Sequence, residues 1–215
     1  MGVYSLHEKA WKFYGDFCSV GSAAFSPDGR KIAFTGKVRS GNPDCGYIYA
    51  SALLQILDLE TGEVTSVPET AAIREIAQLS WAPSGRQVAV ALKGRIVLVE
   101  IGSGAQRVIT EGADPSWSPK GTWIAYTVHD GQICMIIHPD GTGARVVLDL
   151  SRRSGSWLFY DGSVWSPNEE HLLLNEEQFD GHDHNVTLVV LATGEVTTKS
   201  KNGLAIFGWA PQSGN

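Results

Sequence analysis

The segment most capable of holding a metal ion contains two histidines with acidic residues beside and between them. It reads Phe179-Asp180-Gly181-His182-Asp183-His184-Asn185. Imidazole nitrogens and carboxylate oxygens are ligands for zinc and other transition metals, and a His/Asp pair can transfer protons. His182, Asp183 and His184 are therefore candidate metal ligands for a metal-assisted lyase or hydrolase. A hydrated turn explains the same residues without a metal, and the expectation is that the protein has no cofactor.

A second segment combines basic and aromatic side chains. It runs Arg152-Arg153-Ser154-Gly155-Ser156-Trp157-Leu158-Phe159-Tyr160-Asp161. Trp, Tyr, Phe and Arg are enriched among the anchor residues of protein interfaces. The candidate partner-binding residues are Arg152, Arg153, Trp157, Phe159, Tyr160 and, from the histidine segment, Phe179. The alternative is that Leu158 and Tyr160 already belong to a strand, so that only Trp157 is exposed.

The motifs of covalent catalysis are absent from the sequence. It contains no Gly-x-Ser-x-Gly nucleophile turn, no His-Glu-x-x-His and no glycine-rich phosphate loop. The His129-Asp130-Gly131 sequence is typical of a tight hairpin turn and needs no catalytic role. The sequence therefore predicts a protein that is not an enzyme.

Composition excludes several classes of protein. The 215 residues are 43% hydrophobic and carry a formal net charge of −6, so a phosphate-backbone binder is not expected. Three widely spaced cysteines, Cys18, Cys45 and Cys134, form neither a disulfide framework nor a zinc motif. No apolar segment has membrane-spanning length, and the N-terminus lacks the apolar stretch of a signal peptide. The expected location is cytoplasmic, or periplasmic if a leader has been removed.

The candidate segments lie between copies of a short repeat, in which an aromatic residue precedes Ser/Ala-Pro-x-Gly. The copies are Phe25-Ser26-Pro27-Asp28-Gly29, Trp81-Ala82-Pro83-Ser84-Gly85, Trp117-Ser118-Pro119-Lys120-Gly121, Trp165-Ser166-Pro167-Asn168-Glu169 and Trp209-Ala210-Pro211-Gln212-Ser213. Proline fixes φ and glycine adopts positive φ, so each copy predicts a strand, a tight turn and a second strand. The fourth copy has lost its glycine, and in the fifth copy glycine follows one residue later, at Gly214.

A second turn follows each of the first four copies, with β-rich runs on both sides. These turns are Glu60-Thr61-Gly62-Glu63, Gly102-Ser103-Gly104, Asp140-Gly141-Thr142-Gly143 and Ala192-Thr193-Gly194-Glu195. A four-stranded unit that recurs every 40 residues or so is typical of a β-propeller blade, whose repeated aromatics would pack between adjacent blades.

The repeat spacing predicts one all-β propeller domain over residues 1–215. The blades are expected near residues 20–70, 77–111, 112–150 and 160–200, with a last inner strand at 204–209. Residues 1–19 would then close a five-bladed ring by joining that strand in a composite blade, since a lone strand needs partners. The alternative is a fragment of a six- to eight-bladed propeller.

The residues also carry a family resemblance. Phe25-Ser26-Pro27-Asp28-Gly29-Arg30-Lys31-Ile32-Ala33-Phe34, followed by Ile56-Leu57-Asp58-Leu59-Glu60-Thr61-Gly62-Glu63, resembles the repeat of TolB-like propellers. Similar repeats occur in WD40-like proteins and in the propellers of prolyl oligopeptidases. The resemblance covers residues 20–215 and implies a propeller scaffold; the hydrolase domain of the oligopeptidases has no counterpart here.

The irregular segments all fall on one face of the predicted propeller. These segments are 36–49, 68–77, 149–160 and 177–185. Variable loops gathered at one end of a rigid scaffold are typical of a binding surface. The sequence therefore predicts a non-catalytic scaffold that binds a protein partner through this face, without binding nucleic acid or inserting into a membrane. A small-ligand or carbohydrate-binding sensor is the first alternative, and the metal-assisted enzyme or an oligopeptidase-like propeller portion is the second.

Overall fold

The computed structural model describes residues 1–5, 9–15, 17–38, 53–67, 78–154, 157–178 and 184–200. All of the regular secondary structure in these ranges is β-strand, which confirms the predicted all-β class. This part of the chain holds no helix long and apolar enough to cross a membrane. The strands are β1 (Gly2–Ser5), β2 (Ala10–Phe13), β3 (Phe17–Phe25), β4 (Lys31–Val38), β5 (Leu53–Asp58), β6 (Val64–Ser66), β7 (Leu79–Trp81), β8 (Gln87–Leu92), β9 (Arg95–Glu100), β10 (Gln106–Glu111), β11 (Ala113–Trp117), β12 (Ile124–Val128), β13 (Ile133–Ile137), β14 (Arg145–Asp149), β15 (Trp157–Trp165), β16 (His171–Gln178), β17 (His184–Val190) and β18 (Val196–Ser200).

Strands β3 to β18 form four antiparallel sheets of four strands each, paired in chain order. We call these sheets blades 1 to 4: β3–β6, β7–β10, β11–β14 and β15–β18. The first strand of each blade is its inner strand, and the surface between two consecutive blades is a seam. The four-stranded antiparallel blades confirm the predicted unit. The number of blades in the closed ring stays a prediction.

The serine of each Ser-Pro-x-Gly turn holds that turn together. In blade 1 the Ser26 N–H donates to the Lys31 carbonyl (2.8 Å), and the Lys31 N–H donates back to Ser26 Oγ (2.9 Å). Gly29 has a φ of 68°, which glycine adopts without a Cβ clash. Ser118 and Ser166 accept the same backbone bond at 2.9 Å in blades 3 and 4. Serine thus ties the two strands of the hairpin across the turn.

Glu169 takes the place of the missing glycine in the fourth copy, with a φ of 64°. A left-handed conformation costs a non-glycine residue about 1–2 kcal/mol. The Glu169 carboxylate offsets this by accepting a 2.7 Å bond from the Lys120 N–H of blade 3. Partial burial raises the pKa of this carboxyl, but hydrogen bonds from Ser118, Lys120 and Thr122 lower it by more, so its pKa lies below the ordinary value. At this position the conformational freedom of glycine is thus replaced by a hydrogen bond across the seam.

Blades 2 and 3 each lie between two other blades, which explains why their central strands lack simple alternation. Ile96, Val97, Leu98 and Val99 of β9 are all buried, although neighbouring side chains of a strand point to opposite faces. A separate apolar cluster fills each seam: Leu54 with Val90 between blades 1 and 2, Ile96 with Ile124 between blades 2 and 3, and Cys134 with Leu172 between blades 3 and 4.

The repeated tryptophans pack in these seams, as predicted, and two of them also bond across the seam. Trp81 Nε1 donates to the Ala24 carbonyl of blade 1 (2.9 Å), and Trp165 Nε1 donates to the Ser116 carbonyl of blade 3 (3.0 Å). Both acceptors lie on the preceding inner strand, one residue before its own repeated aromatic. Trp117 packs in its seam in the same way, but its buried Nε1 has no hydrogen-bond partner among the described residues.

The N-terminal hairpin of β1 and β2 covers the face of blade 1 that points away from blade 2. Met1, Val3, Tyr14 and Phe17 pack against a buried cluster that includes Phe34. The Tyr14 hydroxyl donates to a blade 1 carbonyl (3.0 Å). The hairpin therefore occupies the side on which a preceding blade would lie. The first inner strand begins at Phe17, so it includes the end of the segment 1–19 that the sequence assigned to closure of the ring.

The repeated aromatic of blade 1 is the exception to the seam packing. Phe25 is 56% exposed, whereas Trp81 is 7% exposed at the equivalent position. No described residue buries Phe25, so its packing between blades stays a prediction. The segment predicted to cover Phe25, residues 204–209, lies outside the described residues.

The indole bonds can be tested by comparing three equivalent substitutions. We expect Trp81→Phe and Trp165→Phe each to lower the free energy of unfolding by about 1 kcal/mol more than Trp117→Phe does. All three remove similar ring volume, but only the first two remove an N–H···O bond. Urea denaturation of the three variants measures the difference. Equal losses in all three would show that the indole bonds add nothing to the seams.

The role of the hairpin can be tested by deleting residues 1–15. We expect the free energy of unfolding to fall by at least about 3 kcal/mol, because the deletion exposes Phe34 and its neighbours to water. Thermal melting measures the effect, with Phe13→Ser on the exposed side of β2 as a control that should change little. An unchanged melting temperature in the deletion variant would contradict this role.

Candidate functional site

The long connections leave one face of the blades, which we call the loop face. In an antiparallel meander, connections between the second and third strands lie at the same end as those that follow the fourth strand. The β4–β5, β6–β7, β14–β15 and β16–β17 connections therefore share the loop face, and the Ser-Pro turns lie on the opposite turn face. At the loop face, the seam between blades 3 and 4 carries charged and aromatic side chains.

An ion pair crosses this seam at the loop face. Arg153, in the turn after β14, donates from Nη1 to Glu176 Oε2 of β16 at 2.5 Å. Asn185 Nδ2 of β17 donates to the same oxygen at 3.3 Å. Glu176 is 0% exposed, whereas the Arg153 side chain is 37% exposed. A buried carboxylate thus meets a guanidinium group that still reaches solvent.

The ring of Trp157 lies beneath the same guanidinium group. Arg153 Cζ is 4.8 Å from the centre of the Trp157 ring, a distance at which a cation is attracted to the face of an indole. Trp157 Nε1 donates to the Ser154 carbonyl at 3.1 Å, which fixes the ring against the turn. Arg153, Trp157, Glu176 and Asn185 form one connected group, which we call the Arg153 cluster.

Local hydrogen bonds shape the turn that carries Arg153. Asp149 Oδ1 accepts from the Ser151 hydroxyl (2.6 Å) and the Ser151 N–H (2.9 Å). These bonds, the hydroxyl bond first, hold the pKa of the Asp149 carboxyl below its ordinary value. The Arg153 N–H donates to the Leu150 carbonyl at 2.9 Å. The chain is thereby turned so that Arg153 points back across the seam.

Strand register explains why Glu176 is buried. Phe159, Glu176 and Asn185 are directly opposite one another on β15, β16 and β17, so their side chains share one face of blade 4. Leu174 lies on that face as well, and it packs against blade 3. Glu176 therefore points into the seam, where Arg153 supplies the opposite charge.

The structure brings some of the sequence-predicted partner residues together and separates others. Arg153 and Trp157 are in contact, and Arg152 is exposed beside them. Phe159 is a correction: it is 5% exposed and packs in the seam cluster, because β15 already begins at Trp157. Tyr160 lies on β15, where its side chain is outside the description, and Phe179 lies outside the described residues.

Only one of the three predicted metal ligands falls within the described residues. His184 begins β17 directly opposite Glu177, on the loop face next to Asn185. His182 and Asp183 lie outside the described residues. Within the ranges that the structure describes, no group of three His, Cys, Asp or Glu side chains is placed to hold a metal ion.

Glu176 is the residue of the Arg153 cluster that sequence reasoning missed. The run Leu172-Leu173-Leu174-Asn175-Glu176 continues a strand, and period-two alternation puts 172, 174 and 176 on one face. A carboxylate on the same face of the strand as two buried leucines is the sequence feature that could have identified Glu176. It predicts a buried charge, and a buried charge requires a partner.

Two apolar pockets lie on the turn face, away from the Arg153 cluster. Their volumes are about 420 and 410 Å³, and Trp117 and Pro119 line both of them. The first pocket is lined by the first three copies of the repeat and the second by the third and fourth copies, and neither lining contains a charged side chain. The repeated residues form both pockets, so the pockets do not identify one position as a specific binding site.

Comparison with known proteins rests on structure, since no protein-family model and no curated protein matches the sequence. TolB from Acinetobacter baumannii is similar over 94% of this chain and 48% of its own, with a TM-score of 0.67 and 15% identity. The Cps50 (Swd1) β-propeller domain of Myceliophteria thermophila matches over 86% of this chain and 59% of its own, with a TM-score of 0.59 and 15% identity. An oligogalacturonate lyase in complex with manganese matches over 94% of this chain and 72% of its own, with a TM-score of 0.54 and 14% identity.

The chain spans about half the length of the Acinetobacter TolB structure. Identities this low carry information on the fold and not on activity. The four four-stranded blades and the seam packing agree with those structural matches. The chain therefore has the β-propeller fold of TolB-like and WD40-like domains.

Proposed function

We propose that this protein is a non-catalytic interaction module that binds a polypeptide partner through the loop face. The contact residues are Arg152, Arg153 and Trp157, completed by Tyr160 and Phe179. The observation that carries the proposal is the Arg153 cluster, in which one guanidinium group contacts both an aromatic ring and a buried carboxylate at the end of a seam.

The energetics of the ion pair support a role in recognition. Removing a carboxylate and a guanidinium from water costs several kcal/mol per ion, and well-packed apolar residues often give equal or greater stability. The core of the seam between blades 3 and 4 uses such residues, including Cys134, Leu172 and Leu174. A charged pair at the loop end of a seam with an apolar core therefore favours recognition over stability.

The side-chain types support a polypeptide partner. Tryptophan and arginine dominate the binding energy of protein interfaces, because they combine large contact areas with polar groups. The hydrogen bond from Trp157 to the Ser154 carbonyl already fixes the indole, so less side-chain entropy is lost on binding. The loop face thus offers an ordered aromatic anchor beside the exposed side chain of Arg152.

We also propose that residues 1–215 act as one propeller domain. The hairpin covers blade 1 where a preceding blade would lie, which supports a closing role for residues 1–19. In this arrangement residues 204–209 supply the inner strand of the composite fifth blade and cover Phe25.

Partner capture tests the proposed function. Immobilised wild-type protein is incubated with lysate of the source cells, and the bound polypeptides are identified by mass spectrometry. We expect Trp157→Ala to lose a specific polypeptide that the wild type retains, with at least about tenfold weaker binding of the purified partner, because a central tryptophan typically contributes 2 kcal/mol or more.

The matched control is Trp11→Ala, which removes an exposed tryptophan from the N-terminal hairpin. This variant should keep the partner, and both variants should melt as cooperatively as the wild type. Phe159 is left intact, because its buried ring belongs to the seam. Equal retention of every polypeptide by wild type and Trp157→Ala would contradict recognition at this site.

A metal-assisted enzyme is the second candidate function. His184 begins β17 on the loop face with Glu177 opposite, and the structurally similar oligogalacturonate lyase was determined in complex with manganese. In this alternative His182, Asp183 and His184 supply the nitrogen and oxygen ligands, and the bound metal would act as a Lewis acid.

Metal titration decides between the two candidates. Chelator-treated protein is titrated with Mn²⁺ or Zn²⁺ by calorimetry, and the retained metal is measured after dialysis. The enzyme alternative predicts one equivalent per chain, lost in His184→Ala and kept in His129→Ala, an exposed imidazole on a loop-face turn. Absence of stoichiometric binding in the wild type would eliminate the metal alternative.

A further inference from the structure

We propose that Trp157, Glu176 and Asn185 form a binding site for a guanidinium group, which the chain's own Arg153 fills. An arginine of the polypeptide partner takes the place of Arg153 when the complex forms. This inference rests on the proposed function and specifies its chemistry: the partner presents an arginine side chain to the loop face.

The three residues supply what a guanidinium group requires. The buried Glu176 carboxylate provides an opposite charge at 2.5 Å from Arg153 Nη1, and Trp157 provides an aromatic face 4.8 Å from Cζ. Asn185 holds the carboxylate through its 3.3 Å bond to Oε2. A carboxylate beside an indole face attracts cations by charge and by the ring quadrupole together.

The resident arginine uses only part of this site. Arg153 donates from one nitrogen to one oxygen, and Glu176 Oε1 is buried without a hydrogen-bond partner among the described residues. A guanidinium group can donate two parallel N–H bonds to one carboxylate, which is stronger than a single contact. A partner arginine that approaches in the bidentate orientation would satisfy both oxygens, and this difference favours exchange.

Arg153 can leave without opening the apolar seam. Its side chain is 37% exposed, and residues 151–154 are all exposed on the surface turn. The turn is held mainly by its own bonds, those of Asp149 with Ser151 and of Arg153 with Leu150. The apolar cluster of the seam is formed by other side chains, including Leu172 and Leu174, and Arg153 is not part of it. The net charge of −6 also favours approach of a basic segment over an acidic one.

Chemical rescue tests the site directly. In Arg153→Ala the resident guanidinium group is gone, and ethylguanidinium is the probe that replaces it. We expect Arg153→Ala to melt at a lower temperature than wild type and ethylguanidinium to restore at least half of that loss, with half-maximal effect at about 1–10 mM. N-ethylurea, which is neutral and similar in shape, should restore nothing.

The control variants locate the effect. Arg153→Ala combined with Glu176→Gln removes the charge that binds the probe, so ethylguanidinium should no longer raise its melting temperature. Wild type, whose site is filled, should respond only at much higher concentration. If Arg153→Ala does not fold alone, the yield of folded protein after refolding with ethylguanidinium or N-ethylurea replaces the melting temperature as the readout. Equal effects of the two probes would overturn the proposal.

The outcome is separable from that of partner capture. A partner that depends on Trp157, together with an absence of rescue, would refute arginine exchange and leave protein recognition standing. Rescue without any Trp157-dependent polypeptide would establish a guanidinium site and contradict the polypeptide partner. Support for both requires rescue and release of the captured partner by ethylguanidinium but not by N-ethylurea.

Discussion

Contact between adjacent sheets is the constraint on which this structure depends. A four-stranded sheet with apolar side chains on both faces is stable only when a neighbour covers each face. Strand β9 shows this most clearly, because four consecutive residues are buried by blades on opposite sides. The tryptophans add direction to the packing: the Trp81 and Trp165 indoles each bond to the inner strand of the preceding blade. The blades are therefore joined by specific bonds near the axis and by apolar area farther out.

The same packing explains where a recognition site can form. Side chains within a seam are fixed by both sheets, and those at its loop end are fixed on one side and open on the other. Glu176 lies at that boundary. The register of β16 directs its side chain into the seam, and Arg153 contacts it from the surface turn. A flexible loop alone would give neither the desolvated carboxylate nor the fixed indole. Among the described residues of the loop face, only the Arg153 cluster combines a charged pair, an aromatic ring and a buried carboxylate.

Much of the fold could be predicted from the sequence, because the repeat encodes local backbone geometry. Proline, glycine and serine at fixed offsets specify the turn, and the hydroxyl of Ser26 shows how directly one side chain determines it. The Arg153 cluster was only half predictable. Arg153 and Trp157 stand out by residue type, whereas Glu176 matters because register aligns it with Phe159 and Asn185. Phe159 was misplaced for the same reason: whether an aromatic residue is anchor or core depends on where β15 begins.

Glu169 shows that the seams are not interchangeable. Its left-handed backbone is accompanied by a bond from the Lys120 amide of the neighbouring blade, whereas the first three copies have glycine at this position. The fourth blade is also adapted to the third through the Lys120 ammonium, which donates to the Asn168 carbonyl at 3.0 Å; Asp28 and Ser84 at the equivalent positions of blades 1 and 2 have no ammonium group. Copies of one repeat thus come to differ in the side chains that contact the neighbouring blade. The order of the blades along the chain is then specified by these contacts, and a blade moved to another position would lack the contacts that match its new neighbour.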